Sequence, residues 1–215
     1  MNHVWLDSEG DNWYERNKHH LGKAQAQDFP LLMMDLYGLK PKSVLEIGAS
    51  NGWRLGAIHQ KYGADTTAVE PSKKAVEDGR KKFPSVKFIH STLEDCPLSG
   101  TFDLIIVNFV LHWIERDALY QCIGKIDRLV KDQGNLIIGD FGPDCFLKRK
   151  YHHLKDANMH TWKMAYEQLF LQSGGYMELA KLRYNDDTHT MGPDVNADNG
   201  CTVVLLKKQQ MYLDH

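Results

Sequence analysis

Short apolar runs bounded by Gly, Pro or polar residues alternate along this chain with stretches in which apolar residues return at every third or fourth position. The first pattern is that of buried strands, the second that of helices with one buried face. Asp28-Phe29-Pro30 reads as an acidic cap with Pro in the first helical turn, and Phe29, Leu32, Met33 and Leu36 continue at helical spacing to Gly38. Ser43 to Gly48 is the first strand. A helix carrying Trp53, Leu55, Ile58 and Tyr62 ends at Gly63, and Thr66 to Glu70 is the second strand. Ser72 caps a helix with Ala75, Val76 and Phe83 on its apolar side, and Val86 to His90 is the third strand. Asp103 to Phe109 is the fourth. The stripe Leu119, Cys122, Ile123, Ile126, Leu129 and Val130 predicts a helix ending at Gly134, before a fifth strand from Asn135 to Asp140.

Strands that are apolar almost throughout, alternating with helices, predict the α/β class with a doubly wound, mostly parallel sheet covered by helices on both faces. Further on, the spacing predicts a helix from Thr161 to Ser173, closed by Gly174-Gly175. Two strands, Tyr176 to Tyr184 and Cys201 to Lys207, have no helical pattern between them and are expected to pair antiparallel, completing a seven-stranded sheet with an antiparallel C-terminal strand. The stretch from Asn185 to Gly200 is long for a hairpin connection, which marks it as functional or mobile. Residues 1–215 read as a single domain: an N-terminal helical lid or arm (1–40), a core (43–140), a substrate-side insertion and helix (141–175) and C-terminal antiparallel strands (176–215).

Composition sharpens this picture by exclusion. The 215 residues are 42% hydrophobic and 25% charged, as in a folded chain, and the net charge of −2 supplies no overall positive field for nucleic acid or an anionic membrane. Cys96, Cys122, Cys145 and Cys201 form no C-x-x-C pair, so a reducing cytoplasm is the expected compartment. The first residues are polar and acidic where a secretory leader needs a basic start and an apolar run. The longest apolar stretch, Leu104 to Ile114, is broken by Asn108 and His112 and is too short for a bilayer span.

Ligands of doubly wound sheets bind beyond the carboxyl ends of the strands. After the first strand lies Glu46-Ile47-Gly48-Ala49-Ser50-Asn51-Gly52, where Gly48 and Gly52 allow a turn and close approach of a ligand to the backbone. A plain tight turn is the competing reading. The loop is no dinucleotide fingerprint, because Ser50 and Trp53 stand at its second and third glycine positions. Glu70 ends the second strand, where a carboxylate can accept from both vicinal hydroxyls of a ribose; a solvated acid beside Lys73 and Lys74 is the alternative.

With these features the chain resembles the class I S-adenosylmethionine (SAM) dependent methyltransferases. The resemblance rests on Val44 to Gly52, Ala68-Val69-Glu70-Pro71-Ser72, Thr92-Leu93-Glu94-Asp95-Cys96-Pro97 and Phe102 to His112, in that order. It implies SAM as cofactor and S-adenosylhomocysteine as product. It places Gly48, Ala49, Ser50 and Gly52 against the methionine part, with Glu46 beneath the amino group. Glu70 would hold the ribose hydroxyls, Pro71 would pack on adenine, Thr92 falls where many relatives have an adenine-binding Asp, and backbone groups around Leu93 could replace that contact. Asn108, Phe109, Val110 and Trp113 would line the reaction chamber, and His112 reads as part of a packed helix start. Gly10 to Asn17 also resembles methylases associated with bacterial surface-sugar biosynthesis.

Two segments remain for closure and chemistry. Tyr14 and Arg16 can reach a carboxylate of the cofactor, a guanidinium fork being suited to that group; a solvated helix face is the alternative. The insertion after the fifth strand carries Tyr151, His152, His153 and His160, and a neutral imidazole takes a proton near neutral pH. His152 or His153 is the expected base, with Tyr151 orienting it. No metal site is expected, since no helical His pair or neighbouring Cys stands here. The function so read is methyl transfer to oxygen or nitrogen of a small molecule or sugar-linked metabolite. A tRNA or protein methyltransferase and a non-catalytic SAM-binding subunit are the other readings.

Overall fold

A computed structural model describes residues 4–22, 28–153, 159–192 and 198–210. Parts of the insertion and of the Asn185–Gly200 connection, residues 154–158 and 193–197, lie outside the described residues. The chain opens with a π-helical turn, Trp5–Glu9, that runs directly into helix α1 (Gly10–Asn17). Helix α2 (Phe29–Leu36) begins as its sequence dictates: the Asp28 carboxylate accepts from Leu31 N at 2.9 Å and Pro30 occupies the first turn. There follow β1 (Ser43–Ile47), α3 (Trp53–Tyr62), β2 (Asp65–Glu70), α4 (Lys73–Lys82), β3 (Val86–His90), β4 (Phe102–Asn108), α5 (Arg116–Leu129) and β5 (Val130–Phe141). The hairpin β6 (Leu147–Lys150) and β7 (His160–Lys163) comes next, then the short α6 (Gln168–Leu171), β8 (Tyr176–Asn185) and β9 (Gly200–Lys208).

The strands form a seven-stranded sheet in the order β3-β2-β1-β4-β5-β9-β8. All pairings from β3 to β5 are parallel, and β9 runs antiparallel to both its neighbours, as the sequence predicts. Alternate residues of the central strands feed two cores. Leu45, Ile47, Ile105 and Val107 pack with α5, Tyr166 and Phe170. Val44, Leu104 and Ile106 pack with Phe29, Met33 and Met34 of α2 and with Leu55 and Ile58 of α3. This period of two on strands buried from both sides is what a doubly wound sheet requires.

Two sequence expectations are corrected. The fifth helix ends at Leu129 rather than Gly134, because Val130 already pairs with Phe102 and the ladder shifts register before Leu104 pairs with Asn135. An apolar Val130 satisfies either state, so the stripe did not show the boundary. The helix expected from Thr161 to Ser173 is split. Thr161 to Lys163 belong to β7, paired with β6, and only Gln168–Leu171 is α-helical. What holds the hairpin is a ladder of side chains: the Trp162 ring stacks on Phe146 at 5.9 Å, and Lys148 and Arg116 lie 4.6 and 5.8 Å from its centroid.

One buried ionic network ties α2, β1 and α3 together. Arg54 donates from Nε and Nη2 to the Asp28 carboxylate, the closest contact being 2.7 Å, and from Nη1 to Glu46 Oε1. Glu46 is 1% exposed, and burial pushes its carboxyl up to about 7 although Arg54 opposes this. Arg54→Ala strands that acid in the core and is expected to cost about 3–5 kcal/mol. Urea unfolding should show a larger loss at about pH 8 than at about pH 5, where a protonated Glu46 needs no partner.

Candidate active site

The carboxyl ends of β1, β2, β3, β4 and β5 open into one cavity of 1310 Å³, lined in part by Ile47 to Ser50, Val69 to Pro71, Ser91 to Glu94, Asn108 to Val110 and Phe141. Small-molecule pockets typically hold about 300–1000 Å³, so there is room here for a cofactor and an acceptor together. The described lining carries as many acidic side chains as basic ones. Among the described residues no cluster of His, Cys, Asp and Glu could hold a metal ion, and no helix is long and apolar enough to cross a membrane.

The turn after β1 is built on left-handed backbone at Gly48 (φ 70°), Ser50 (φ 51°) and Gly52 (φ 72°). A β-carbon on Gly48 would lie 2.4 Å from Val110 Cγ2, so glycine is required where the two loops meet. Ser50 holds the unfavourable conformation because Glu70 anchors its amide: Ser50 N donates to Glu70 Oε2 at 2.7 Å, while Ser72 N donates to Oε1 at 2.8 Å. Phe109 (φ 56°) turns the chain at the end of β4 in the same way, with its amide donating to Gly139 O at 2.7 Å. Ser50 and Asn108 belong to the cavity wall, and their Oγ and Oδ1 atoms are buried without a hydrogen-bond partner among the described residues. A polar ligand would supply those partners.

Of the residues expected to contact the cofactor, Arg16, Gly48, Ala49, Ser50, Glu70, Pro71, Thr92, Leu93, Asn108, Phe109, Val110 and Trp113 line this cavity. Tyr14, Glu46 and Gly52 stand behind its described wall instead. The Tyr14 hydroxyl donates to Asp78 on α4 at 2.5 Å, which pins the arm to the core. Glu46 faces Arg54, and Gly52 leaves space for the ring of Phe88, which a β-carbon would meet at 2.6 Å. Arg54 itself lines the cavity and has no signal in the sequence, because its partners Asp28 and Glu46 already read as a helix cap and a ligand contact.

The arm roofs the cavity through a buried polar knot. The Tyr151 hydroxyl donates to Glu9 Oε1 at 2.5 Å and accepts from Arg16 Nη2 at 2.9 Å, and Arg16 also pairs with Glu9, which is fully buried. Trp113 packs edge-on between Trp5, at 4.8 Å, and Tyr151, at 4.7 Å. The Tyr151 hydroxyl is therefore committed to the arm and meets the histidines only through its ring, 5.3 Å from His153. His152 and His153 are exposed at the mouth. Partial desolvation, with His152 and Arg16 close by, lowers the His153 pKa.

His112 combines its expected packing role with a polar partner. It lies in the 3₁₀ turn Leu111–Trp113, 2% exposed, with Nδ1 2.8 Å from Asp140 Oδ1 and its amide donating to Asp140 Oδ2 at 3.2 Å. It packs as expected and also faces the cavity.

Residues 44–134 match the family described as methyltransferase domain. A malonyl-[acyl-carrier protein] O-methyltransferase of Anoxybacillus flavithermus is 28% identical over 109 residues, 49% of this chain and 41% of that protein. A mitochondrial ubiquinone biosynthesis O-methyltransferase of Schizosaccharomyces pombe is 26% identical over 144 residues, 63% of this chain and 50% of that protein. The chain thus spans about half the length, or less, of these curated relatives. Among solved structures, the Burkholderia thailandensis 1,6-didemethyltoxoflavin-N1-methyltransferase, with bound 1,6-didemethyltoxoflavin and S-adenosylhomocysteine, has a TM-score of 0.73 at 17% identity, covering 96% of this chain and 88% of that one. The N-methyltransferase NodS of Bradyrhizobium japonicum, in complex with S-adenosylhomocysteine, has a TM-score of 0.62 at 15% identity over 93% and 100%.

Glu70 gives the site a pH signature. Burial pushes its carboxyl up to about 7, against the two amides that favour the anion. A carboxyl raised in the folded state binds its proton more tightly than in the unfolded chain, so its contribution is complete below the ordinary value of 4.5 and is lost as pH rises toward 7. Unfolding midpoints in urea should therefore fall between about pH 5 and pH 7.5, and Glu70→Gln should flatten that slope. Residues 44–134 thus match a methyltransferase domain, and the sheet order and the glycine turn over Glu70 give the chain the fold of class I SAM-dependent methyltransferases.

Proposed function

We propose that the chain transfers a methyl group from SAM to oxygen or nitrogen of a small-molecule or sugar-linked acceptor. The observation that carries this reading is one cavity with two unlike ends. At one end Glu70 presents a buried carboxylate at the tip of β2; at the other, beyond Asn108, lie His112, Phe141, Lys163 and Asp186. The residues present fit the cofactor: unpartnered Ser50 Oγ and Asn108 Oδ1, a glycine turn no β-carbon could enter, and a carboxylate with lone pairs to spare.

In this reading Glu70 accepts from the ribose hydroxyls, Pro71, Thr92 and Leu93 flank the adenine, and Gly48, Ala49 and Ser50 follow the methionine chain. Arg16 keeps further guanidinium donors beside its bond to Tyr151 and directs them to the carboxylate. Asn108, Phe109, Val110 and Trp113 surround the point of transfer. SAM supplies an electrophilic methyl group, and the protein's work is alignment and exclusion of water. The arm, held down by Glu9, Tyr14 and Tyr151, provides the roof that such exclusion needs. The balanced charge of the lining favours a small acceptor over a polyanion.

Glu70→Ala removes two charge-assisted hydrogen bonds to the ribose, each worth about 1.5–3 kcal/mol. Calorimetry should show S-adenosylhomocysteine binding at least tenfold more weakly to the folded variant. Unchanged affinity would sink the assignment of this end of the cavity to the cofactor.

A further inference from the structure

The geometry points to His112 as the general base of the acceptor half, held by Asp140, and hence to an acceptor whose nucleophilic O–H or ring N–H carries its proton at neutral pH. This inference rests on the methyltransferase reading and makes its substrate class narrower. Three observations carry it. Asp140 offers oxygens that only accept, one to His112 Nδ1 at 2.8 Å and one to the His112 amide at 3.2 Å, so the ring proton resides on Nδ1. The opposite nitrogen, Nε2, has no hydrogen-bond partner among the described residues and belongs to a side chain that lines the cavity. The ring is fixed by Trp113 at 4.5 Å, Phe141 at 5.0 Å and Phe109 at 6.2 Å, so its lone pair points in one direction.

His152 and His153 lack this arrangement. They are exposed at the mouth, their rings tilted against each other at 3.9 Å, and no carboxylate sets their tautomer among the described residues. His112 follows the end of β4 by one short turn, next to Asn108 and Phe109, where the two halves of the cavity meet. The groups that face it are Asp140 from β5, Asp186 after β8 and, beside Asp186, Lys163 from β7. Tyr166 lies against Asp140 from behind.

In the step, the acceptor's heteroatom gives its proton to Nε2. The electron pair so freed bonds to the methyl carbon as the carbon–sulfur bond breaks and its pair stays on sulfur, leaving a neutral thioether. The imidazolium is stabilised by Asp140 and loses its proton to solvent when the products leave. A primary amine that enters neutral, or a carboxylate, needs no such base, which is why the dyad selects the acceptor class.

The test begins with long-range proton–nitrogen NMR on the full chain, free and with S-adenosylhomocysteine. The expected result at about pH 8 is a neutral His112 with the proton on Nδ1 and a bare Nε2; an Nε2–H tautomer, or an imidazolium persisting there, overturns the proposal whatever the acceptor. Asp140→Asn should shift the tautomer toward a mixture, while an unchanged ring denies Asp140 its positioning role. Methyl transfer from labelled SAM to catechol, benzimidazole and methyl glucoside, and to the small-molecule fraction of a bacterial extract, is the second arm. His112→Gln should lower any such rate by about 10²- to 10⁴-fold at unchanged S-adenosylhomocysteine affinity. A loss confined to His152→Gln or His153→Gln, or transfer only to amines, overturns it. Absence of S-adenosylhomocysteine binding by the wild type would instead remove the methyltransferase reading itself.

Discussion

The site hangs on one carboxylate. Glu70 accepts the amides of Ser50 and Ser72, and so ties the turn after β1 to the turn after β2. The parallel register makes this possible: Ile47 lies beside Val69, so the residue after Val69 comes up directly beneath the glycine turn. Left-handed backbone at a non-glycine residue costs about 1–2 kcal/mol, and a charge-assisted bond to the Ser50 amide offsets it. The same two bonds leave the remaining lone pairs of the carboxylate facing the cavity. The group that shapes the loop is thereby also available to a ligand.

The acceptor end follows from the register of another strand pair. Asn108 lies beside Gly139 across β4 and β5, which sets Asp140 next to the chain leaving β4 and within reach of His112. Gly139 has to be glycine, since a β-carbon there would fall 2.0 Å from Asn108 Oδ1. Asp140 stands on β5, and His112 in the short 3₁₀ turn that follows β4. A dyad fixed by two neighbouring strands is held more rigidly than the mouth histidines, whose positions rest on an insertion that crosses the cavity rim.

How much of this was legible beforehand depends on how local its cause is. The central strands β1, β4 and β5 announce themselves through runs of Val, Ile and Leu buried on both faces, and the glycine turn and Glu70 follow at the tips of β1 and β2. The β6–β7 hairpin did not, since Leu147–Lys150 is mostly cationic and Trp162, Tyr166 and Phe170 happen to fall at helical intervals. Its stability comes from cross-strand contacts of Trp162 with Phe146 and Lys148, which no periodicity records. The sequence points Tyr14 toward the cofactor, whereas its hydroxyl donates to Asp78, which is brought to it only by the packing of α1 on α4. Asp28 lies 26 positions from Arg54 and Asp140 28 from His112, and pairings of that range exist only after the sheet is assembled.

The two halves of the cavity are consequently under different constraints. The cofactor half is made by strand tips and by backbone amides, and a change there disturbs the sheet itself. The acceptor half is completed around His112 and Asp140 by the arm, the hairpin and the segment after β8, which meet largely through side chains. Glu9 shows what that joining requires. A fully buried acid shared between Tyr151 and Arg16, with Oε2 unpartnered among the described residues, is a poor source of stability, because desolvation consumes most of the attraction. It is well suited to specifying one position of the arm over the insertion, since any other position would strand the charge. Enzymes of one fold can thus exchange their acceptor walls without touching the cofactor seat. In this chain the wall is fixed by a polar knot beside the packed rings of Trp5, Trp113 and Tyr151, and that knot is where its geometry can be altered by a single side chain.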